Sequence, residues 1–240
     1  MTDYSQHVYA AGNSASSKWF TVCLFAGVLA SRVFTSTTPY FADGPLHVLA
    51  AQNHTYVIQA PGYWLFTRIA GLFSDPAFGI SIMNWLFSAG GAVFFYLSVR
   101  KLAFENVARL AAIAYASIYF AWFSGNIHST YASQLFFPIA VFLCLLYYRE
   151  NCHVGWLIAA SALFAFGAGF RPSDGAFIAP AFLFALLKAK RSHLWAAIPV
   201  AAVICICWYV PQEIALARMA DPLHGGRPST AEAQGSALRV

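Results

Sequence analysis

A helical bundle that spans a membrane is the fold class this sequence predicts, and three observations predict it. Hydrophobic residues make up 60% of the 240 positions. Only 10% are charged, against about 25% in an ordinary soluble domain. The apolar residues also fall into runs that suit hydrocarbon, parted by short polar breaks, and the mean hydropathy is +0.60. A helix rising about 1.5 Å per residue needs roughly 20 residues to cross about 30 Å of acyl chain.

Residues 19–36 predict the first span, with Lys18 at its inner end. The first eighteen residues lack the basic start and small-residue cleavage site of a signal peptide, so this run is expected to be a retained helix. Residues 37–60 are too polar to span and form the first external loop. They carry Asp43, His47, Gln52, Asn53, His54 and Gln59. The stretch PGYWLFTRIAGLF follows, with Pro61 suited to a first helical position and with Trp64 and Arg68, and it predicts an interfacial helix in that loop. Further spans are expected at 78–97, 107–123, 131–148, 154–170, 176–187 and 194–210, about seven in all. The chain thus divides into a cytoplasmic tail at 1–18, a transmembrane core at 19–211, and a polar, poorly ordered tail at 212–240.

The net charge of +5 does not point to nucleic acid, because the 14 Lys and Arg residues are scattered between apolar runs and form no dense stripe. Membrane topology accounts for them better. With the N-terminus inside, Lys18, Arg100, Lys101, Arg109, Arg149, Lys188, Lys190 and Arg191 all fall on the cytoplasmic side, as short basic loops do. The five cysteines are odd in number, lack a CxxC pair and sit mostly in apolar segments, so they are read as small buried hydrophobes. Most of the aromatic residues, 17% of the chain, fit interface belts.

That topology brings Asp43, His47, His54, Gln59, Asn126, His128, Arg171 and Asp174 to the outer face. Ionisable groups near the hydrocarbon boundary are costly unless paired or wet, so such a gathering is a candidate site; the plain alternative is a set of solvated loop residues. Asp43, in YFADGPLH, is held at the membrane surface by a turn at Gly44 and Pro45. Its carboxylate can take a proton from an attacking hydroxyl or amine, or it can cap a short helix starting at Pro45, and the two roles are compatible. Arg171, at the end of a long apolar run and before Pro172, suits a lipid phosphate or diphosphate, or else snorkels to the headgroups with Asp174 as partner. Arg68 is a second candidate for phosphate. His47, His54 and His128 match no metal-ligand spacing, and neither a metal nor another cofactor is expected.

The order of elements resembles the membrane glycosyltransferases of the GT-C superfamily, in particular the bacterial mannosyltransferase-like and aminoarabinose-transferase-like group. The resemblance rests on a first span, an outer loop with an early Asp, the APGY segment, a span ending in VRKL and the RPS turn before another apolar run, over roughly residues 19–211. It implies an inverting transfer of a sugar from a polyprenyl-phosphate donor to an acceptor at the outer face. It implies further that Asp43 in FADGPLH is the base, that Arg171 in GFRPSD holds the phosphate with Arg68 as a second cation, and that His47, Gln59, Asn126 and His128 contact substrate. The implied partners are the lipid-linked sugar and the bilayer, with an additional membrane subunit or a missing C-terminal portion as a further one, and the implied location is the bacterial inner membrane. Members often carry another acidic residue in the first or second external loop and are generally longer, with an outer soluble domain. A non-catalytic membrane subunit or inactive remnant is therefore the alternative reading. A transporter would call for charges within spans, and Arg32 alone lies in one.

Overall fold

The computed structural model describes residues 15–35, 43–55 and 63–220. Ten helices follow one another among them: α1 (Ala15–Thr35), α2 (Gly44–Gln52), α3 (Trp64–Ala70), α4 (Pro76–Leu102), α5 (Glu105–Ser117), α6 (Tyr119–Ser124), α7 (Tyr131–Asn151), α8 (Val154–Phe170), α9 (Pro172–Leu187) and α10 (Arg191–Ala220). Four of these, α1, α4, α7 and α10, are long and apolar enough to cross a membrane. The apolar α8 and α9 have 17 and 16 residues. At about 1.5 Å per residue each reaches only about 25 Å.

The seven expected spans thus resolve into four long helices, two short apolar ones, and one that is broken. The break falls in 107–123, where Ile118 is extended with ψ 131° and separates α5 from α6. A guanidinium satisfies a carbonyl at the break: Arg32 Nη2 donates to the Ala116 oxygen at 3.1 Å. The interfacial helix starts at Trp64 rather than Pro61, because Tyr63 turns left-handed at φ 59° and a helix cannot run through it. The last helix passes through Pro211 and continues to Ala220, so 212–220, read from sequence as tail, is helical. Apolar helices tolerate interior prolines where neighbouring groups satisfy the freed backbone.

Helix α4 is central, with α7 on one side and α1 and α5 on the other; α8 packs between α7 and α10, and α9 lies against α8. Its N-terminus is set by Asp75, whose carboxylate accepts from the Ala77 and Phe78 amides, with Pro76 in the first turn. Close approach of the helices depends on small residues. A Cβ on Gly90 of α4 would stand 3.0 Å from the Phe136 ring, and one on Gly167 of α8 would stand 2.9 Å from Phe137. Lipid tails give apolar helices little reason to associate, so such contacts carry much of the adhesion. Three of the five cysteines, Cys23, Cys152 and Cys207, are exposed, contrary to the sequence reading. Cys23 and Cys207 lie on α1 and α10, where lipid accepts a thiol as readily as a core does.

The polar residues sort to the two ends of the bundle. At one end Arg109 pairs with Glu105 at 2.8 Å and donates to Ser16, Arg100 donates to Ser17, and Lys101 pairs with Glu150 at 2.5 Å. This is the basic end. The ends of α1, α6 and α8 and the starts of α2, α4, α7 and α9 meet at the other.

Candidate functional site

The site end is built around a buried loop. Residues 125–130, read from sequence as a loop carrying the candidates Asn126 and His128, are buried throughout. Non-helical backbone at such depth must be satisfied from within the protein, and side chains of the neighbouring helices do it. Asn84 Nδ2 donates to the Ile127 carbonyl at 2.6 Å, and Ser133 Oγ to that of Thr130 at 2.7 Å. His128 Nε2 lies 3.0 Å from Ser81 Oγ. Asn126 uses both ends of its amide, donating to the Trp122 carbonyl and accepting from Thr35 Oγ1. It therefore ties α1 to the loop.

Helix α2 sits on this loop. A Cβ at Gly44 would meet the His128 carbonyl oxygen at 3.3 Å, so glycine permits the contact. Asp43 occupies the N-cap position with Pro45 in the first turn, yet its carboxylate makes no capping hydrogen bond. Of the two roles the sequence left to it, capping is thus not exercised. Its backbone carbonyl accepts from the His47 amide at 2.9 Å. One turn on, the His47 ring is buried edge-on against Tyr63 and Phe66, at 5.3 and 5.2 Å, and its Nδ1 has no hydrogen-bond partner. Burial, with the positive charge of Arg171 second, holds the His47 pKa down at about 3. Burial also lowers that of His128, whose Nδ1 likewise lacks a partner. Both imidazoles are neutral near pH 7.

Arg171 joins α8 to α9 as a single extended residue with φ −151°. Its guanidinium is fixed from several sides. Nε donates to Ser173 Oγ at 3.0 Å, Nη1 donates to Gln134 Oε1 at 3.2 Å, and the group lies 5.3 Å from the Tyr131 ring centroid. A planar cation stacked and bonded in this way is pre-oriented for an oxyanion. Asp174, 3.9 Å from Nε, is 1% exposed and neither carboxylate oxygen has a hydrogen-bond partner. Burial drives its pKa up to about 7 against the opposing pull of Arg171. A cleft of about 220 Å³ opens beside it, lined by Phe120, Gln134, Leu135, Pro138, Asp174 and Phe177.

The structure therefore gathers Asp43, His47, Asn126, His128 and Arg171 at one end. Arg68 is exposed in the last turn of α3, and Gln59 lies outside the described residues. Gln134 and Tyr131, which hold Arg171, were not singled out from sequence. The signal was there in YASQLFF, a glutamine one turn into an apolar span.

A match to a family of known proteins places this apolar bundle among the integral membrane glycosyltransferases of the GT-C type, which use a lipid-linked donor. The family model for dolichyl-phosphate-mannose-protein mannosyltransferase matches residues 60–211, more than half of the chain, and the protein belongs to that family. The matched range begins after Asp43. No curated protein and no solved structure matches the chain.

Proposed function

We propose that this protein transfers a sugar, with inversion, from a polyprenyl-phosphate donor to an acceptor at the outer face of the membrane, with Asp43 as base. The observation that carries the reading is a chain of ring contacts between the two groups: His47, one turn beyond the N-cap Asp43, packs on Phe66 at 5.2 Å, and Phe66 packs at 5.9 Å on Phe170, the residue before Arg171. A phosphate held by the guanidinium and an acceptor held by the carboxylate would share one site. Asp43 takes the proton of the acceptor hydroxyl as its oxygen attacks the anomeric carbon, while the bond from that carbon to the phosphate oxygen breaks. Arg171, with Arg68 as a second cation, stabilises the charge gathering on the departing phosphate. His47, Gln59, Asn126 and His128 complete the substrate contacts, His47 and His128 as neutral groups.

In this reading the N-terminus and the basic end face the cytoplasm of a bacterial inner membrane, as the clustering of Lys and Arg favours. The lipid-linked sugar and the bilayer are the partners, with room for an additional membrane subunit, and no cofactor is required. The test is the purified chain in liposomes with labelled dolichyl-phosphate mannose. Asp43→Asn should lower transfer about 100-fold or more, the scale of general-base catalysis. It should leave the melting temperature unchanged, since the carboxylate makes no capping bond. Full transfer by the variant would remove Asp43 from the mechanism.

A further inference from the structure

The cations of the basic end fall into two groups. Arg100, Lys101 and Arg109 are engaged within the bundle, by Ser17, by Glu150, and by Glu105 with Ser16. Arg149, Lys188, Lys190 and Arg191 are exposed and form no ion pair with any described residue. Glu150 adjoins Arg149 in sequence but is already paired with Lys101 at 2.5 Å. The four lie together because one hydroxyl ties their elements. Tyr148 Oη, at the end of α7, accepts from the Lys190 amide at 3.3 Å and lies 3.1 Å from His193 Nδ1. It fixes the turn at 188–190 and the start of α10 against the residue that precedes Arg149.

What flanks these charges is apolar. Phe184 and Leu187, in the last turn of α9, are 61% and 86% exposed, and Trp195, one turn into α10, is 75% exposed. Lys188 Nζ lies 4.7 Å from the centroid of the Phe184 ring, so its aliphatic stem folds back along α9. Acyl chains cover such side chains where water would not. Helix α9 is also short, its 16 residues reaching only about 25 Å against about 30 Å of hydrocarbon. With Arg171 at one face, the turn stops short of the headgroups at the other unless the leaflet thins or flanking side chains reach outward, as lysine and arginine can.

We infer that the α9–α10 turn, with Arg149 beside it, binds the headgroup of an anionic phospholipid, whose phosphate is held by the four cations while its acyl chains lie along the apolar ends of α9 and α10. A zwitterionic headgroup carries its own cation next to the phosphate and gains little from four more, whereas an anionic one brings uncompensated charge. A soluble anion shares the phosphate chemistry but leaves the apolar flank uncovered. The bound lipid holds this end of α9 at a fixed depth, opposite the end that carries Arg171. The inference stands apart from the transferase reading.

The experiment titrates the delipidated full chain in detergent with phosphatidylglycerol and, separately, with phosphatidylcholine, and reads each affinity by native mass spectrometry. The wild type should prefer phosphatidylglycerol, and the preference should shrink as salt is added. A cation near an anionic headgroup contributes about fivefold in affinity, so the triple variant Lys188→Gln, Lys190→Gln, Arg191→Gln should bind phosphatidylglycerol about 100-fold more weakly. Phosphatidylcholine should bind that variant as it binds the wild type. Should the triple variant not fold, Arg149→Gln and Lys190→Gln, each a single exposed change, should each lose about fivefold for phosphatidylglycerol alone. Equal affinity of the wild type for the two lipids, equal losses for both in the variants, or phosphatidylglycerol affinity unchanged in all variants would overturn the site. Displacement of phosphatidylglycerol by excess inorganic phosphate would assign the turn to a soluble anion and overturn it as well.

Discussion

Replacing Arg171 offers the sharpest separation of chemistry from stability. Arg171→Ala removes the hydrogen bond to Gln134 at 3.2 Å and the packing on Tyr131 at 5.3 Å, together worth about 2–4 kcal/mol of folding stability. The buried carboxylate left behind limits that cost. Arg171 is what opposes burial at Asp174, so without it the carboxyl pKa moves further above 7 and the group becomes neutral instead of staying an unpaired anion. Toward a lipid phosphate the loss is of similar size and is read separately, per folded molecule. A hydrogen bond to a charged group contributes about 1.5–3 kcal/mol, and at about 1.4 kcal/mol per decade kcat/KM should fall by about 10- to 100-fold. Arg171→Lys keeps the charge but not the planar fork, and should lie between. The assay is steady-state transfer in liposomes with folded protein quantified in each preparation. An alanine variant at wild-type kcat/KM, or activity lost only in proportion to folded protein, would refute the phosphate role.

Three further outcomes are expected. Gly169→Ala would place a Cβ 2.8 Å from Leu65 and Trp208, wedging α8 from α3 and α10, and should cost about 1–3 kcal/mol in thermal or denaturant unfolding. His47, neutral in the fold with its pKa near 3 instead of 6.5, takes up its proton only on unfolding, so its contribution is complete above pH 6.5 and is lost as the pH falls toward 3. His47→Gln should accordingly flatten the decline of melting temperature with acidification in that window. Asp174 has the opposite sign, since its raised pKa makes the fold bind the proton more readily than the unfolded chain and its contribution fades as the pH rises from 3.8 to 7. Asp174→Asn should steepen the acid decline over the same interval.

Most of the fold was legible in the sequence, since apolar run length decides what crosses hydrocarbon. Residues 154–170 were expected as a span and are α8. The errors fall where tertiary contacts override a local rule. Ile118 interrupts an apolar run without a proline or glycine of its own, and the partner at the break, Arg32, lies 84 positions from Ala116. Pro211 looked like a stop but sits inside α10. The site was half legible. Asp43 and Arg171 stand out because each follows an apolar helix, whereas GNIHST reads as a polar turn and its burial depends on Asn84 and Ser81 from another helix.

The two ends of the bundle differ in a way that bears on where function sits. At the basic end the connections are 103–104, 152–153 and 188–190, short turns between antiparallel neighbours. At the other end, among the described residues, they are 71–75, 125–130 and the single residue Arg171. Short turns join adjacent helices with the least loop backbone to satisfy, so longer connections at one end alone need a separate cause. Burying the loop at 125–130 consumes side-chain partners from α4 and α7, a cost that packing alone would avoid. What that cost secures is a rigid floor under the start of α2, with the Asp43 turn resting on His128 through Gly44 and the Arg171 guanidinium fixed nearby by α7. In the proposed transferase, Asp43 as base and Arg171 as phosphate anchor would have to be held at constant separation while two substrates arrive, and a buried loop provides that where a mobile one would not.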